Sequence, residues 1–157
     1  MNKVERAKEI LEELLKGMGI DAGVSAKEIE DYISSEITTP DSALVIGRKG
    51  KTLETLQYLV NLIINKGEKE RIKVILDTEG YRERRKARLM ELAKELAQRA
   101  KEGNSEVFLE PMNPYERRII HTTLAEDPDV ETESVGEGIE RQVVIIPKGI
   151  KGKEQET

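Results

Sequence analysis

Two glycines bracketing two cations, Gly47-Arg48-Lys49-Gly50, form the stretch of this chain best suited to hold an anion. They follow an apolar run ending at Ile46 and precede an amphipathic segment, so they read as a tight loop opening a helix. Glycine lets the main chain turn sharply and come close to a ligand. The N–H groups at a helix start attract negative charge, and Arg48, Lys49 and Lys51 add formal positive charge. A second pair has related chemistry. Arg117 and His121, four residues apart, share one face of a helix, where a guanidinium and an imidazole can meet one phosphate or stack on a base. The alternative for His121, which follows Ile119-Ile120, is a packed structural histidine. No Ser or Cys stands as its partner, and Glu116 alone is adjacent, so a general-base role has no supporting residues and no catalytic residue is assigned.

The glycine loop has rivals to exclude. Gly50-Lys51-Thr52 suggests a nucleotide-binding P-loop, but that motif needs a glycine five positions before Gly50, and position 45 is Val. The glycine set of a dinucleotide fingerprint is also missing. A polymer backbone remains.

Composition narrows the class further. The chain has 157 residues, 37% hydrophobic and 36% charged, which is globular. With one Phe and no Trp, the interior must be built from Leu, Ile and Val. No Cys excludes disulfides and thiolate metal sites, and one His leaves no imidazole cluster, so neither a metal nor another cofactor is expected. There is no apolar signal core and no run long enough to span a bilayer, which makes a cytoplasmic protein the expectation. High charge with few amides leans toward a thermophilic source.

The net charge of −5 hides an uneven distribution. Residues 1 to 46 carry 5 basic and 10 acidic side chains, residues 47 to 101 carry 15 and 8, and residues 102 to 157 carry 6 and 13. The centre is a basic island. It opens with the glycine loop and closes with Tyr81-Arg82-Glu83-Arg84-Arg85-Lys86-Ala87-Arg88, a footprint for phosphate attraction. Arg82, Arg85 and Lys86 are expected to extend the positive track toward Arg117 and His121. The plainer reading is a charged helix that solvates itself.

The elements that position these groups can be read from periodicity. Ile10, Leu11, Leu14 and Leu15 predict a helix from Asn2 to Lys16 stopped at Gly17, and β-branched residues between Ala22 and Thr39 predict two short strands. Leu53, Leu56, Leu59, Val60, Ile63 and Ile64 predict a helix to about Asn65, followed by a strand within Arg71 to Asp77. A long helix from Tyr81 to about Gly103, a strand at Val107 to Leu109, a helix entered through Pro111 and Pro114, and strands at Val130 and Arg141 to Ile146 complete the reading. The fold class is α+β in two small domains, 1–79 and 80–149, with a polar tail at 150–157.

Ile-Gly-x-x-Gly between helical segments, with two strands before and one after, resembles a type II K homology (KH) domain, whose G-x-x-G loop clamps the backbone of about four nucleotides. The run from Leu44 to Leu53, continuing through Gln57-Tyr58-Leu59-Val60-Asn61, is similar to the bacterial Jag family, also called SpoIIIJ-associated or cell-elongation-regulator RNA-binding proteins. Leu109 to His121 resembles the R-three-H domain of that family, named for an Arg and a His in the spacing of Arg117 and His121. The resemblance covers about residues 3 to 148 and implies a KH unit with helices on a three-stranded sheet, then an R-three-H unit of three strands and two helices. Longer members carry an additional N-terminal domain before the KH helix, so roles tied to that domain are not expected here. The resemblance implies binding of single-stranded RNA, with single-stranded DNA left open, in control of cell elongation, division or sporulation. A small KH protein is an implied partner, and a homo-oligomer stays open; a protein-interaction adaptor is the alternative. The expected contacts are Ile46, Gly47, Arg48, Lys49, Gly50, Lys51, Arg82, Arg85, Lys86, Arg117 and His121, with Ile46 and Leu53 forming a shallow groove for bases.

Overall fold

The computed structural model describes residues 1–149, and the polar tail at 150–157 lies outside the described residues. Contacts divide the chain between Arg82 and Glu83, three residues beyond the boundary read from the sequence. That division falls in the first turn of a helix, where no turn or composition signal marks it.

The first unit begins with helix α1 (Lys3–Gly17), whose Asn2 and Glu5 form a reciprocal capping box. Strands β1 (Gly23–Ile29) and β2 (Tyr32–Thr38) pair antiparallel across a two-residue connection in which Glu30 is left-handed. The apolar run before the glycines is itself a short helix, α2 (Ser42–Ile46), and helix α3 (Lys51–Ile64) follows the loop. Strand β3 (Val74–Asp77) then returns parallel to β2, giving the order β1-β2-β3. Leu11 and Leu15 of α1, Ile33 and Ile37 of β2, and Leu53, Leu56, Val60 and Ile64 of α3 meet in one buried core with Val74 and Leu76.

Strand β3 is an edge, and its outer margin is closed by side chains. Ile33 N donates to Lys73 O, so by alternation along a parallel ladder residues 72, 74 and 76 turn their main-chain groups away from β2. Asn65, Asn61 and Gln57 stand at successive four-residue steps of α3 and its cap, on one face of the helix. Asn65 Nδ2 donates to Ile72 O (2.7 Å) and its Oδ1 accepts from Ile72 N (2.6 Å). Asn61 does the same with Val74, at 2.8 Å each way. Gln57 Oε1 accepts from Leu76 N (3.0 Å), and Arg82 Nε completes the row by donating to Leu76 O (2.6 Å). Three amides and a guanidinium thus do for β3 what a further strand would do.

In the second unit, helix α4 (Tyr81–Gly103) runs from the division and buries Leu89, Ala93, Ala97 and Ala100. The left-handed stop is Asn104 rather than Gly103. Strands β4 (Val107–Phe108), β5 (Val130–Val135) and β6 (Gln142–Pro147) form an antiparallel sheet in the order β4-β6-β5. Helix α5 (Pro114–Leu124) starts with Asn113 accepting from Glu116 N and with Pro114 in the first turn, where a missing N–H costs nothing. The α+β class and the two helix-on-sheet units agree with the sequence reading.

Replacing Asn61 with Ala strips both partners from Val74 at a half-buried edge. The expected cost is about 2 kcal/mol, read by urea unfolding, with faster hydrogen exchange at the Val74 amide than at Val60 inside α3.

Candidate nucleic-acid interface

The loop between α2 and α3 is built from unusual backbone. Gly47 (φ +70°), Lys49 (φ +56°) and Gly50 (φ +77°) are all in the left-handed half of conformational space. Each glycine also meets a steric limit. A Cβ on Gly47 would overlap Thr52 Oγ1, and one on Gly50 would lie 2.6 Å from Tyr81 Cε1. Gly50 is buried under that ring, so Tyr81 braces the loop from the protein side. Lys49 carries a side chain in a conformation that costs a non-glycine residue about 1 kcal/mol.

The opposite side of the loop is open. Arg48, Lys49 and Lys51 are exposed and Ile46 is half-buried beside them. Gly50 occupies the cap position of α3 and no side chain caps the helix; Gly50 N donates to Gly47 O (3.4 Å) and Lys51 N to Arg48 O, so the loop closes on its own carbonyls beside three cations. This geometry places the positive end of a helix and formal charge on one small surface.

Leu53 does not join a groove for bases. It is 1% exposed and belongs to the core, because its place on the apolar stripe of α3 turns it inward. Two other hollows flank α3. One of about 330 Å³ is lined by Met18, Lys51, Thr52, Thr55, Leu56 and Leu59. The other, about 540 Å³, lies over the amide row and includes Tyr58, Leu62, Lys66, Lys69 and Arg71. Tyr58 is 65% exposed, an aromatic face in the middle of a helix with cations around it. It is absent from the contacts expected from sequence, although an aromatic off the core stripe of α3 is a signal that could have found it.

Two cations of the expected track have internal partners. Arg82 holds Leu76 O and Gln57 Oε1 (2.6 Å each), and Arg85 Nε donates to Glu116 Oε1 (2.9 Å). Glu116 is buried, and this pair ties α4 to α5 within the second unit. Lys86 is exposed on α4.

Arg117 and His121 lie on one face of α5, as their spacing requires. His121 Nδ1 is 2.7 Å from Thr132 Oγ1 and Nε2 is 2.8 Å from Ser134 Oγ, so both ring nitrogens are engaged by β5. Burial, followed by the positive charges of Arg117 and Arg141, holds the imidazole pKa below its ordinary value. The ring is a neutral hub between helix and strand, within electrostatic reach of both Arg117 and Arg141.

Among the described residues no helix is long and apolar enough to cross a membrane. A family model described as the KhpA/KhpB KH domain matches residues 5–76, and one described as the R-three-H domain matches residues 87–147. The chain is 46% identical over 146 residues to an RNA-binding protein KhpB of Clostridium symbiosum, covering 92% of this chain and 66% of that protein. It is 33% identical over 150 residues to RNA-binding protein KhpB of Bacillus subtilis strain 168, covering 94% and 72%. With the protein of that name from Lactiplantibacillus plantarum it shares 34% identity over 132 residues, covering 84% and 41%. The chain therefore spans between about two fifths and three quarters of the length of these relatives.

Gly47→Ala and Gly50→Ala each force both a clash and a strained φ, with an expected loss of about 2–4 kcal/mol in chemical unfolding. Arg48→Ala, on the exposed side, leaves the midpoint unchanged. For His121 the sign follows from its lowered folded pKa: its contribution is complete above the unfolded value near 6.5 and is lost as pH falls through the folded value. The thermal midpoint of the second unit should fall as pH drops below about 6.5, and His121→Gln should flatten that segment of the profile. Asp127, held below the ordinary carboxylate value by Lys101, adds its own loss only at lower pH.

Proposed function

Because the chain belongs to the KhpB family, we propose that it binds single-stranded RNA and performs no covalent chemistry on it. The observation that carries the reading is the loop from Gly47 to Gly50, where an uncapped helix start and three exposed cations share one surface. Phosphates of the strand sit at the positive end of α3 and on Arg48, Lys49 and Lys51. Bases leave this grip along α3. Tyr58 stands eight residues beyond Gly50, about 12 Å up the helix at 1.5 Å per residue, a distance of a few nucleotides. Its ring offers a stacking face, while Leu62 supplies an apolar wall and Lys66, Lys69 and Arg71 hold the passing backbone.

The second unit adds contacts through Arg117. Lys86 contributes long-range attraction, whereas Arg82 and Arg85 act by holding the units' own structure. The names of the relatives support RNA as the polymer, and the resemblance to cell-elongation regulators supports control of RNA in elongation, division or sporulation. The family description that pairs KhpA with KhpB supports a small KH protein as a partner.

The direct test is fluorescence polarisation of a labelled single-stranded RNA at several salt concentrations. With four to six phosphates neutralised, the log-log slope should be about −3 to −4. Arg48→Asp combined with Lys49→Asp should abolish binding without unfolding the protein, as read by circular dichroism. A folded double variant that retains wild-type affinity would remove the loop from the binding surface.

A further inference from the structure

Resting on the reading of the chain as an RNA binder, we propose that Tyr81 is a positioning residue of the loop from Gly47 to Gly50, its ring holding the loop in the shape that takes the strand. Nothing in the family matches assigns it that role. Residues 77–86 fall between the KH match, which ends at 76, and the R-three-H match, which begins at 87. Contacts nonetheless place Tyr81 and Arg82 in the first unit. The chain leading to them is fastened there at successive residues. Thr78 is buried, and its Oγ1 donates to Ile37 O (2.7 Å). Asp77 Oδ1 accepts from Thr78 N (2.9 Å) and Arg82 N (3.3 Å), and Glu79 N donates to Glu36 Oε1 (3.2 Å). Tyr81 N donates to Thr78 O (3.0 Å), while the Arg82 side chain reaches back to Leu76 O and Gln57 Oε1. Glu79 (φ +52°) and Gly80 (φ +63°) are left-handed in succession, a strained choice for a glutamate. What this turn achieves is the placement of Tyr81 against Gly50, where a Cβ would stand 2.6 Å from ring Cε1 and 2.9 Å from the hydroxyl oxygen.

The loop needs such a brace. Gly47, Lys49 and Gly50 are all left-handed, and glycine visits left- and right-handed conformations about as readily as each other. Without support, a stretch of this kind spreads over many shapes, of which the strand can use few. Gly47 is packed against Thr52 and Gly50 against Tyr81. Thr52 lies in α3, the helix that the loop itself opens, so it cannot fix the loop against the rest of the unit. Tyr81 comes from beyond β3, at the start of α4, and it can. A protein whose competent state is only partly populated binds with an affinity reduced by that fraction. Tyr81 therefore acts on the RNA through the population of the loop, without adding a charge or a contact to the strand.

Equilibrium and stopped-flow binding of labelled single-stranded oligouridylate to the full chain separate this role from direct contact. If loss of the ring leaves the loop competent about a tenth of the time, Tyr81→Ala should weaken binding about tenfold. The loss should lie in the association rate, with dissociation unchanged, and the salt slope should stay at its wild-type value because every cation remains. Tyr81→Phe, which keeps the ring, should bind within about twofold of wild type. Gly50→Ala should weaken binding less in the Tyr81→Ala background than in wild type, since the clash is gone and only the strained φ persists. Wild-type affinity in Tyr81→Ala overturns the positioning role and leaves RNA binding by the loop intact. A loss expressed as faster dissociation makes the ring an RNA contact and overturns it as well. If the wild-type chain does not bind oligouridylate, this role and the RNA reading fall together. Should Tyr81→Ala not fold, Tyr81→Leu, which keeps apolar bulk without the flat ring, is judged by the same rates and slope.

Discussion

The closure of β3 by α3 is the interaction on which the first unit depends. A three-stranded sheet with helices on one face leaves two margins, and one of them lies beside α3, the helix that follows the glycine loop. Left open, its outward N–H and C=O groups would need water or a foreign strand. Asn61 and Asn65 answer them with matched donor and acceptor pairs, and Gln57 shares the third position with Arg82. Because the amides come from one face of α3, the closure also fixes that helix against the sheet. The direction in which α3 presents its uncapped start therefore follows from hydrogen bonds made at its other end.

The second unit solves a related problem with charge. Glu116 is buried at the start of α5, and Arg85 supplies its counter-charge from α4. Removing either partner would leave an uncompensated group in a poor solvent, so the pair fixes how the two helices meet more firmly than any exposed ion pair does. At the other end of α5, His121 holds β5 without any charge. The same helix is thus anchored once by an ion pair and once by a neutral ring, and Arg117 stands between the two anchors.

What is legible in the sequence is local. The glycine spacing, the apolar stripe of α3, the proline entry to α5 and the two-unit α+β class all rest on neighbours within a few residues, and they are present in the fold. Placing Leu53 in a groove runs against its own periodicity, which puts it on the buried stripe. Charge counting takes Arg82 and Arg85 for ligand cations because it does not show partners; Leu76 O and Glu116 lie 6 and 31 residues away. His121 finds Thr132 and Ser134 only after α5 folds onto β5, and Arg141 approaches only once β6 has returned. The amides of α3 are visible as letters, but their purpose depends on which side of β3 faces out.

With the β3 margin sealed, the first sheet has only one way to grow. Its remaining margin is β1, and any added strand, whether from a partner or from a misfolded copy, must enter there. Lys27 and Glu28 stand exposed on that strand, and Glu28 is tied to Lys3 at the start of α1 (2.6 Å). Charged side chains along a margin discourage flat pairing with a like strand. The amides that close the margin beside α3 thereby confine the problem of unwanted association to β1, away from the surface that holds the loop.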